Sequence, residues 1–162
     1  MAQLIIVMGV SGTGKSTIGQ LLARQLHLDF YDADDFHPEA NVEKMQQGIP
    51  LNDDDREPWL TLLSNKLRDW EGQGAVLACS ALKVRYRNTL SHRGKLPLIW
   101  VHLKGSMETI HARMKARADH FMPASLLQSQ FDALEAPSDA ITIDISDTPE
   151  AMVATIRSHL EQ

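Results

Sequence analysis

The amino-acid sequence predicts an α/β fold, a three-layer α/β/α sandwich built on a parallel sheet of about five strands. The first observation is that short, mostly apolar runs alternate with segments whose apolar residues recur at helical spacing. The second is that these runs are apolar at successive positions, which is typical of strands covered on both faces. We expect the strands at Leu4–Met8, Asp29–Tyr31, Ala75–Cys79, Leu96–Leu103 and Ala140–Ile145.

Helices are predicted between these strands from the spacing of apolar residues and from the position of prolines. They cover Ser16–Leu26, Asp53–Trp70, Lys83–Ser91, Met107–Lys115, Ala124–Leu134 and Pro149–Leu160. The chain has 162 residues and no composition break or internal repeat. We therefore interpret residues 1–162 as a single domain.

Composition excludes several classes of function. The formal net charge of −5 argues against nucleic acid as the main partner. No apolar run approaches the roughly 20 residues that a membrane span needs. Cys79 is the only cysteine, so an intrachain disulfide is excluded and its thiol is interpreted as buried and inert. We expect a cytoplasmic protein.

The most specific motif is Gly9-Val10-Ser11-Gly12-Thr13-Gly14-Lys15-Ser16, a G-x-x-x-x-G-K-[ST] phosphate-binding loop between a strand and a helix. Its backbone N–H groups and Lys15 would hold the phosphates of ATP, and Ser16 would ligate Mg²⁺. The residues expected to contact the nucleotide from this segment are Gly9, Ser11, Gly12, Thr13, Gly14, Lys15, Ser16 and Thr17.

Carboxylates follow the second predicted strand in Asp32, Asp34 and Asp35. The carboxyl ends of parallel strands form the ligand crevice, so these side chains should face the phosphate-binding loop. Because no acidic residue ends the third strand, one of Asp32 and Asp34 should help to hold Mg²⁺, and another could accept the proton of an attacking hydroxyl. The short chain and the missing guanine-reading motif favour a small-molecule kinase.

The motifs taken together resemble the gluconokinase family, which is related to shikimate kinases. The resemblance runs from the first strand to the region of Phe131, and its motifs stand in the same order. Besides the loop, it rests on Asp32–Pro38, on Asp53-Asp54-Asp55-Arg56 with Pro58-Trp59-Leu60, on Cys79–Lys83 with Tyr86-Arg87, and on His120-Phe121-Met122. It implies phosphoryl transfer from ATP to the 6-hydroxyl of D-gluconate, and it suggests a homodimer.

The resemblance also implies roles for individual residues. Asp34 would accept the proton of the gluconate hydroxyl, and Asp32 would support Mg²⁺. The substrate-binding residues would be Asp34, His37, Arg56, Lys83 and Arg87. Either Arg56 or Arg87 would bind the carboxylate, and His37 would either bind a hydroxyl or stabilise the turn beside Pro38. Ala33 stands where the family often has glycine.

A mobile lid is implied near residues 113–123, where an arginine would reach the transferring phosphate. Arg117 is the first candidate for this catalytic role, and Arg113 is the alternative. The turn Asp147-Thr148-Pro149 would lie against adenine. Three other functions remain open from sequence: another small-molecule kinase acting on shikimate or a different sugar acid, a nucleotide-dependent switch, and an interaction module with a decayed phosphate-binding loop.

Overall fold

A five-stranded parallel sheet forms the centre of the protein, which we describe from a computed structural model covering residues 2–91, 94–116 and 124–161. The strands are β1 (Leu4–Met8), β2 (Asp29–Asp32), β3 (Ala75–Ala78), β4 (Leu98–Lys104) and β5 (Ile141–Asp144). Their spatial order is β2-β3-β1-β4-β5, and every neighbouring pair is parallel. The predicted α/β sandwich with about five parallel strands is confirmed.

Seven α-helices connect and cover the strands in the part of the chain that is described. They are α1 (Lys15–Leu26), α2 (Glu39–Gln46), α3 (Asp53–Asp69), α4 (Val84–Ser91), α5 (Met107–Ala116), α6 (Ala124–Ala133) and α7 (Pro149–Leu160). Six of these match predicted helices. Helix α2 and the 3-10 helix Ala33–Phe36 were not predicted from sequence, because both segments are largely polar and show no clear apolar period.

The core has two layers, one on each face of the sheet. Strand β1 is buried along its whole length, and alternate residues belong to alternate layers. Ile5 and Val7 pack with residues of α1 and α7, whereas Leu4, Ile6 and Met8 pack with residues of α3 and α4. This two-sided burial explains why the strand is apolar at every position.

Helix ends determine which backbone groups remain available to a ligand. The Asn52 side chain accepts a hydrogen bond from the Asp55 backbone N–H, and the Asp55 carboxylate accepts one from the Asn52 backbone N–H, so α3 begins with a capping box. Thr148 caps α7 in a similar way, with Pro149 as the first helical residue. Helix α1 instead follows Gly14, which has no side chain with which to cap it. The first N–H groups of α1 are therefore left for an anion.

Two further predictions from sequence concern the cysteine thiol and membrane-spanning segments. Cys79 is buried, and burial raises the pKa of its thiol to about 12, which keeps the thiol protonated. Across the described ranges, no helix combines the length and the apolar character that crossing a lipid bilayer requires.

Candidate active site

A cavity of about 810 Å³ opens at the carboxyl ends of β1, β2 and β3. One side is formed by residues 11–18, the phosphate-binding loop and the start of α1. Asp32, Asp34 and residues 78–80 form the adjoining wall. Arg113, Met114, Ala116, Asp147, Pro149 and Met152 complete the lining. The volume is in the range of small-molecule and cofactor sites.

The loop before α1 requires glycine at two positions where the backbone turns closely. Gly9 has φ +152°, and a Cβ atom there would lie 2.8 Å from the Leu103 carbonyl oxygen. Gly12 has φ +83°, and a Cβ atom there would lie 2.8 Å from Ile110 Cγ2. The buried Thr13 hydroxyl donates to the Val10 carbonyl oxygen at 2.9 Å and closes the turn. The loop is thereby shaped to direct backbone N–H groups into the cavity.

Helix α6 supports this loop through a residue that the sequence analysis missed. The Ser11 backbone N–H donates to Gln130 Oε1 at 2.7 Å, and Gln130 Nε2 donates to Ser11 Oγ at 2.9 Å. A glutamine on a helix 119 positions away carries no local signal in the sequence.

Lys15 lies at the base of the cavity, as the motif predicts. Its Nζ donates to the Val10 carbonyl oxygen at 3.1 Å. Desolvation by burial lowers the pKa of the Lys15 ammonium, and the nearby carboxylates of Asp34 and Asp32 oppose that change. Phosphate oxygens placed there would further favour the charged ammonium.

Ser16 and Asp32 form a pair of oxygen ligands beside the loop. Ser16 Oγ donates to Asp32 Oδ2 at 3.0 Å, and the other carboxylate oxygen accepts the Asp34 backbone N–H at 3.0 Å. No group of three or more His, Cys, Asp or Glu side chains suited to a metal occurs among the described residues. One hydroxyl and one carboxylate still fit Mg²⁺, which keeps several waters and takes further ligands from substrate phosphates.

The Asp34 carboxylate points into the open part of the cavity. Desolvation at this concave site raises the pKa of Asp34, and the neighbouring Asp32 carboxylate raises it further. The side chain is 82% accessible, so a molecule bound in the cavity can contact the carboxylate directly. Asp34 is therefore placed to accept a proton from a molecule bound in the cavity.

His37 lies next to Asp34 and is held firmly. Its ring stacks on Trp59 with the centroids 4.2 Å apart, and its Nε2 lies 3.8 Å from Asp34 Oδ1. The Asn41 amide nitrogen is 3.2 Å from His37 Nδ1. Since this amide nitrogen is a donor, Nδ1 accepts and the ring proton is assigned to Nε2, facing Asp34. Burial lowers the pKa of His37, so the ring stays neutral near pH 7.

Arg56 and Lys83 come from separate segments and meet around one carboxylate and one phenol. Asp53 accepts a 2.5 Å hydrogen bond from the Tyr86 hydroxyl, and its oxygens lie 3.6 Å from Arg56 Nη1 and 3.9 Å from Lys83 Nζ. The sequence analysis gave no role to Asp53 or Tyr86. An Asp and an Arg three residues apart on one helix could have revealed the Asp53–Arg56 pair.

Arg87 takes a different position from the one expected of a substrate ligand. Its side chain is buried, and it donates 2.7 Å hydrogen bonds to the carbonyl oxygens of Ala81 and Glu135. Ala81 has φ +46°, a left-handed conformation that costs a non-glycine residue about 1 kcal/mol. Arg87 thus stabilises the loop before α4, and this geometry favours Arg56 over Arg87 as the carboxylate ligand.

Arg113 lines the cavity and donates to the Ile145 carbonyl oxygen. Thr17, Asp147 and Pro149 also line it, so the turn before α7 borders the cavity. Residues 117–123 of the lid predicted near 113–123, which include Arg117 and His120, lie outside the described residues.

A strand leading into a phosphate-binding loop, with an acidic pair after β2 on the same edge of the sheet, defines a P-loop kinase. The shikimate kinase family model matches residues 11–161. A probable gluconokinase from Xenopus tropicalis is 44% identical over 98% of this chain and 94% of its own length. A gluconokinase from Arabidopsis thaliana is 45% identical over 95% of this chain and 90% of its own length. The chain therefore belongs to the shikimate kinase family and, within it, to the gluconokinases.

The fold comparison agrees with the sequence comparison. The crystal structure of a gluconokinase from Sinorhizobium meliloti superposes with a TM-score of 0.90 at 39% identity. The match covers 98% of this chain and 91% of that one. A shikimate kinase from Aquifex aeolicus, at 20% identity and a TM-score of 0.62, shares the fold. The predicted family and fold class are confirmed.

Proposed function

We propose that the protein transfers the γ-phosphoryl group of MgATP to the 6-hydroxyl of D-gluconate, giving 6-phospho-D-gluconate and ADP. The observation that carries the proposal is a single cavity with phosphate-binding groups at one side and the Asp34 carboxylate beside them. The names of the relatives support gluconate as the acceptor, because several of them are gluconokinases that match most of the chain.

The nucleotide end of the cavity would position the triphosphate. The loop N–H groups and the start of α1 would bind its β- and γ-phosphates, and Lys15 would neutralise charge that develops during transfer. Mg²⁺, held by Ser16 and Asp32, would supply further charge neutralisation on the phosphates. We assign Arg113 to the phosphates or ribose, and Arg117 keeps its predicted lid role.

Asp34 would orient the gluconate 6-hydroxyl and accept its proton. As the new bond forms between this oxygen and the γ-phosphorus, the bond from the γ-phosphorus to the bridging oxygen of ADP breaks. The neutral His37 ring would donate its Nε2–H to an acceptor oxygen near Asp34. Because proton transfer needs only a correctly placed carboxylate, Asp34 contributes mainly through position.

Arg56 and Lys83 would bind the carboxylate at the other end of the six-carbon chain. A guanidinium forms two parallel hydrogen bonds with a carboxylate, so Arg56 is the stronger ligand of the two. The cytoplasmic location and the homodimer stay predictions.

The experiment that tests this function is coupled ADP release with MgATP and a panel of D-gluconate, shikimate, D-glucose and other sugar acids. Wild type would be compared with Asp34→Asn and with Asp35→Asn. Asp35 is a matched control because it is an exposed neighbour in the same 3-10 helix and does not line the cavity. We expect turnover with D-gluconate, a loss of at least about a hundredfold in kcat for Asp34→Asn, and little change for Asp35→Asn.

Each other outcome has a definite meaning. Turnover with shikimate or another acid in place of D-gluconate would retain the kinase and replace the substrate. Tight MgATP binding without acceptor-dependent ADP release would overturn the enzyme proposal in favour of a nucleotide-dependent switch.

A further inference from the structure

Asp53, the first residue of α3, lies at the centre of a cluster beside the cavity that contains Arg56, Lys83, Arg85 and Tyr86. We call this cluster the acceptor end of the site. The Asp53 carboxylate accepts the Tyr86 hydroxyl at 2.5 Å and lies 3.1 Å from Arg85 Nη1, in addition to its approaches to Arg56 and Lys83. Two chain segments therefore meet on one carboxylate: the first turn of α3, and residues 83–86 at the start of α4.

The three consecutive aspartates at the start of α3 have different surroundings. Asp55 belongs to the capping box and forms 2.9 Å hydrogen bonds with Lys44 Nζ through both oxygens. Asp54 is exposed. Only Asp53 of the three approaches Arg56 and Lys83 within ion-pair distance in the described chain.

Tyr86 connects the carboxylate with both cations. Arg56 Nη1 donates to the Tyr86 hydroxyl at 3.3 Å, and that hydroxyl donates to Asp53. The Arg56 guanidinium carbon lies 5.5 Å from the centre of the Tyr86 ring, and Lys83 Nζ lies 5.7 Å from it. Both distances are in the range of cation–π attraction. The phenol and the carboxylate thus hold two like charges that would otherwise repel each other.

We propose that Asp53 is a positioning residue that holds Arg56 and Lys83 together so that both can receive the acceptor's carboxylate. The inference rests on the proposed function, because it assumes that these two cations bind the acid group. Asp53 itself would not touch the reacting hydroxyl. Without the Asp53 carboxylate, Arg56 and Lys83 could move apart. Acceptor binding would then include the free-energy cost of bringing the two cations together.

The effect should therefore appear in KM for the acceptor and not in kcat. Binding that is equal in the ground state and in the transition state changes KM alone. We expect Asp53→Asn to raise KM for D-gluconate about tenfold, with kcat within about twofold of wild type. KM for MgATP should stay unchanged, because Asp53 does not line the cavity that contains the phosphate-binding loop.

The matched control is Asp54→Asn, which removes the same charge from the same helix turn. Any effect through the α3 dipole would be similar in both variants, since both carboxylates lie in the first turn. Tyr86→Phe is a second variant that removes only the bridging hydroxyl. It should raise KM for D-gluconate in the same direction, and it keeps the proposal testable where Asp53→Asn does not fold.

A double-mutant cycle with Arg56→Met separates positioning from general destabilisation. If Asp53 acts through Arg56 and Lys83, adding Asp53→Asn to Arg56→Met should raise KM by less than about threefold. Fully additive effects would overturn the proposal, as would an unchanged KM in Asp53→Asn or an equal change in Asp54→Asn. Wild type that turns over another acceptor but not D-gluconate would instead contradict the proposed function, and the same cycle would be measured with that acceptor.

Discussion

The two parts of the site are built in different ways. The nucleotide end is the cavity around the phosphate-binding loop, and the acceptor end is the neighbouring cluster of Asp53, Arg56, Lys83, Arg85 and Tyr86, which does not line that cavity. At the nucleotide end, eight consecutive residues form the loop, and its internal bonds join neighbours such as Thr13 and Lys15 to the Val10 carbonyl oxygen. At the acceptor end, the cations come from two separate segments and are connected through the side chains of Asp53 and Tyr86. The nucleotide end is therefore shaped by local backbone geometry, and the acceptor end by side-chain contacts between residues that are distant in sequence.

This difference has consequences for both prediction and mutation. A site made of backbone N–H groups depends on loop shape, so single side-chain changes there should act mainly through charge in the transition state. A site made of long basic side chains depends on their orientation, so changes there should act mainly on acceptor binding.

The largest expected effect is at the nucleotide end. Lys15→Met keeps the apolar length of the side chain and removes the ammonium that would neutralise the transferring phosphoryl group. We expect kcat with D-gluconate to fall about a thousandfold, measured by coupled ADP release. Thermal stability should not fall, because burial already penalises the charged form of Lys15.

A small change in kcat for Lys15→Met would contradict this account of the nucleotide end. Thermal unfolding of the variant is the control, since a lowered midpoint would indicate that the loop has rearranged. A large rise in KM for D-gluconate with normal kcat would show that the two ends are not separable.

The second prediction concerns Arg56 and Arg87, which the sequence could not distinguish as ligands of the acceptor carboxylate. Arg56 is part of the acceptor-end cluster, whereas Arg87 is buried against the carbonyl oxygens of Ala81 and Glu135. Arg56→Met should raise KM for D-gluconate about a hundredfold, the loss of one charge-assisted, two-bond contact, with little change in stability. Arg87→Met should destabilise the fold by about 3 kcal/mol and lower the unfolding midpoint by about 8 °C.

Steady-state kinetics and thermal unfolding of both variants check this contrast. KM for D-gluconate should stay near wild type in Arg87→Met at a temperature where the variant is folded. If Arg87→Met instead raises KM with an unchanged unfolding midpoint, Arg87 is the carboxylate ligand and the described geometry is not the one that binds acceptor.

The same comparison explains how far the sequence could be interpreted. The fold and the phosphate-binding loop were predictable because apolar periodicity and a contiguous motif are local properties. Helix α2 was missed because Asn41 is its only buried residue, so it has no apolar stripe. Gln130 was missed because it supports the loop from a distant helix.

The roles within the acceptor end were predictable only in part. Arg56 and Arg87 both lie in family motifs, but a motif does not show whether a guanidinium is open to a ligand or bonded to a carbonyl oxygen. Asp53 lies in one of these motifs as well, and its contacts with Arg56 and Lys83 depend on how α3 packs against the start of α4. Side-chain orientation is a tertiary property, and sequence spacing alone does not specify it.

The smallest predicted effect is a pH dependence of acceptor turnover set by Asp34. Desolvation and the Asp32 carboxylate raise the pKa of Asp34 above its ordinary value of 3.8. As the acceptor base, Asp34 must be ionised, so kcat/KM for D-gluconate should fall about tenfold per pH unit below this raised pKa. The neutral His37, whose pKa is lowered by burial, should add no second inflection near pH 6.5.

The measurement is kcat/KM for D-gluconate from pH 3.5 to 8 at saturating MgATP, with Asp35→Asn as control. Asp34 and His37 should change the free energy of unfolding in opposite directions as the pH falls. A raised pKa in the folded state means that Asp34 favours folding at low pH and loses that contribution as pH rises through its folded pKa. The pKa of His37 is lowered in the folded protein, so its contribution to folding stability is present above pH 6.5 and is lost as the pH falls below that value. If kcat/KM stays flat down to pH 3.8, the ordinary pKa of an aspartate, proton acceptance by a raised Asp34 does not limit transfer. An equal inflection in the affinity for MgATP would assign the titration to the nucleotide-binding residues instead.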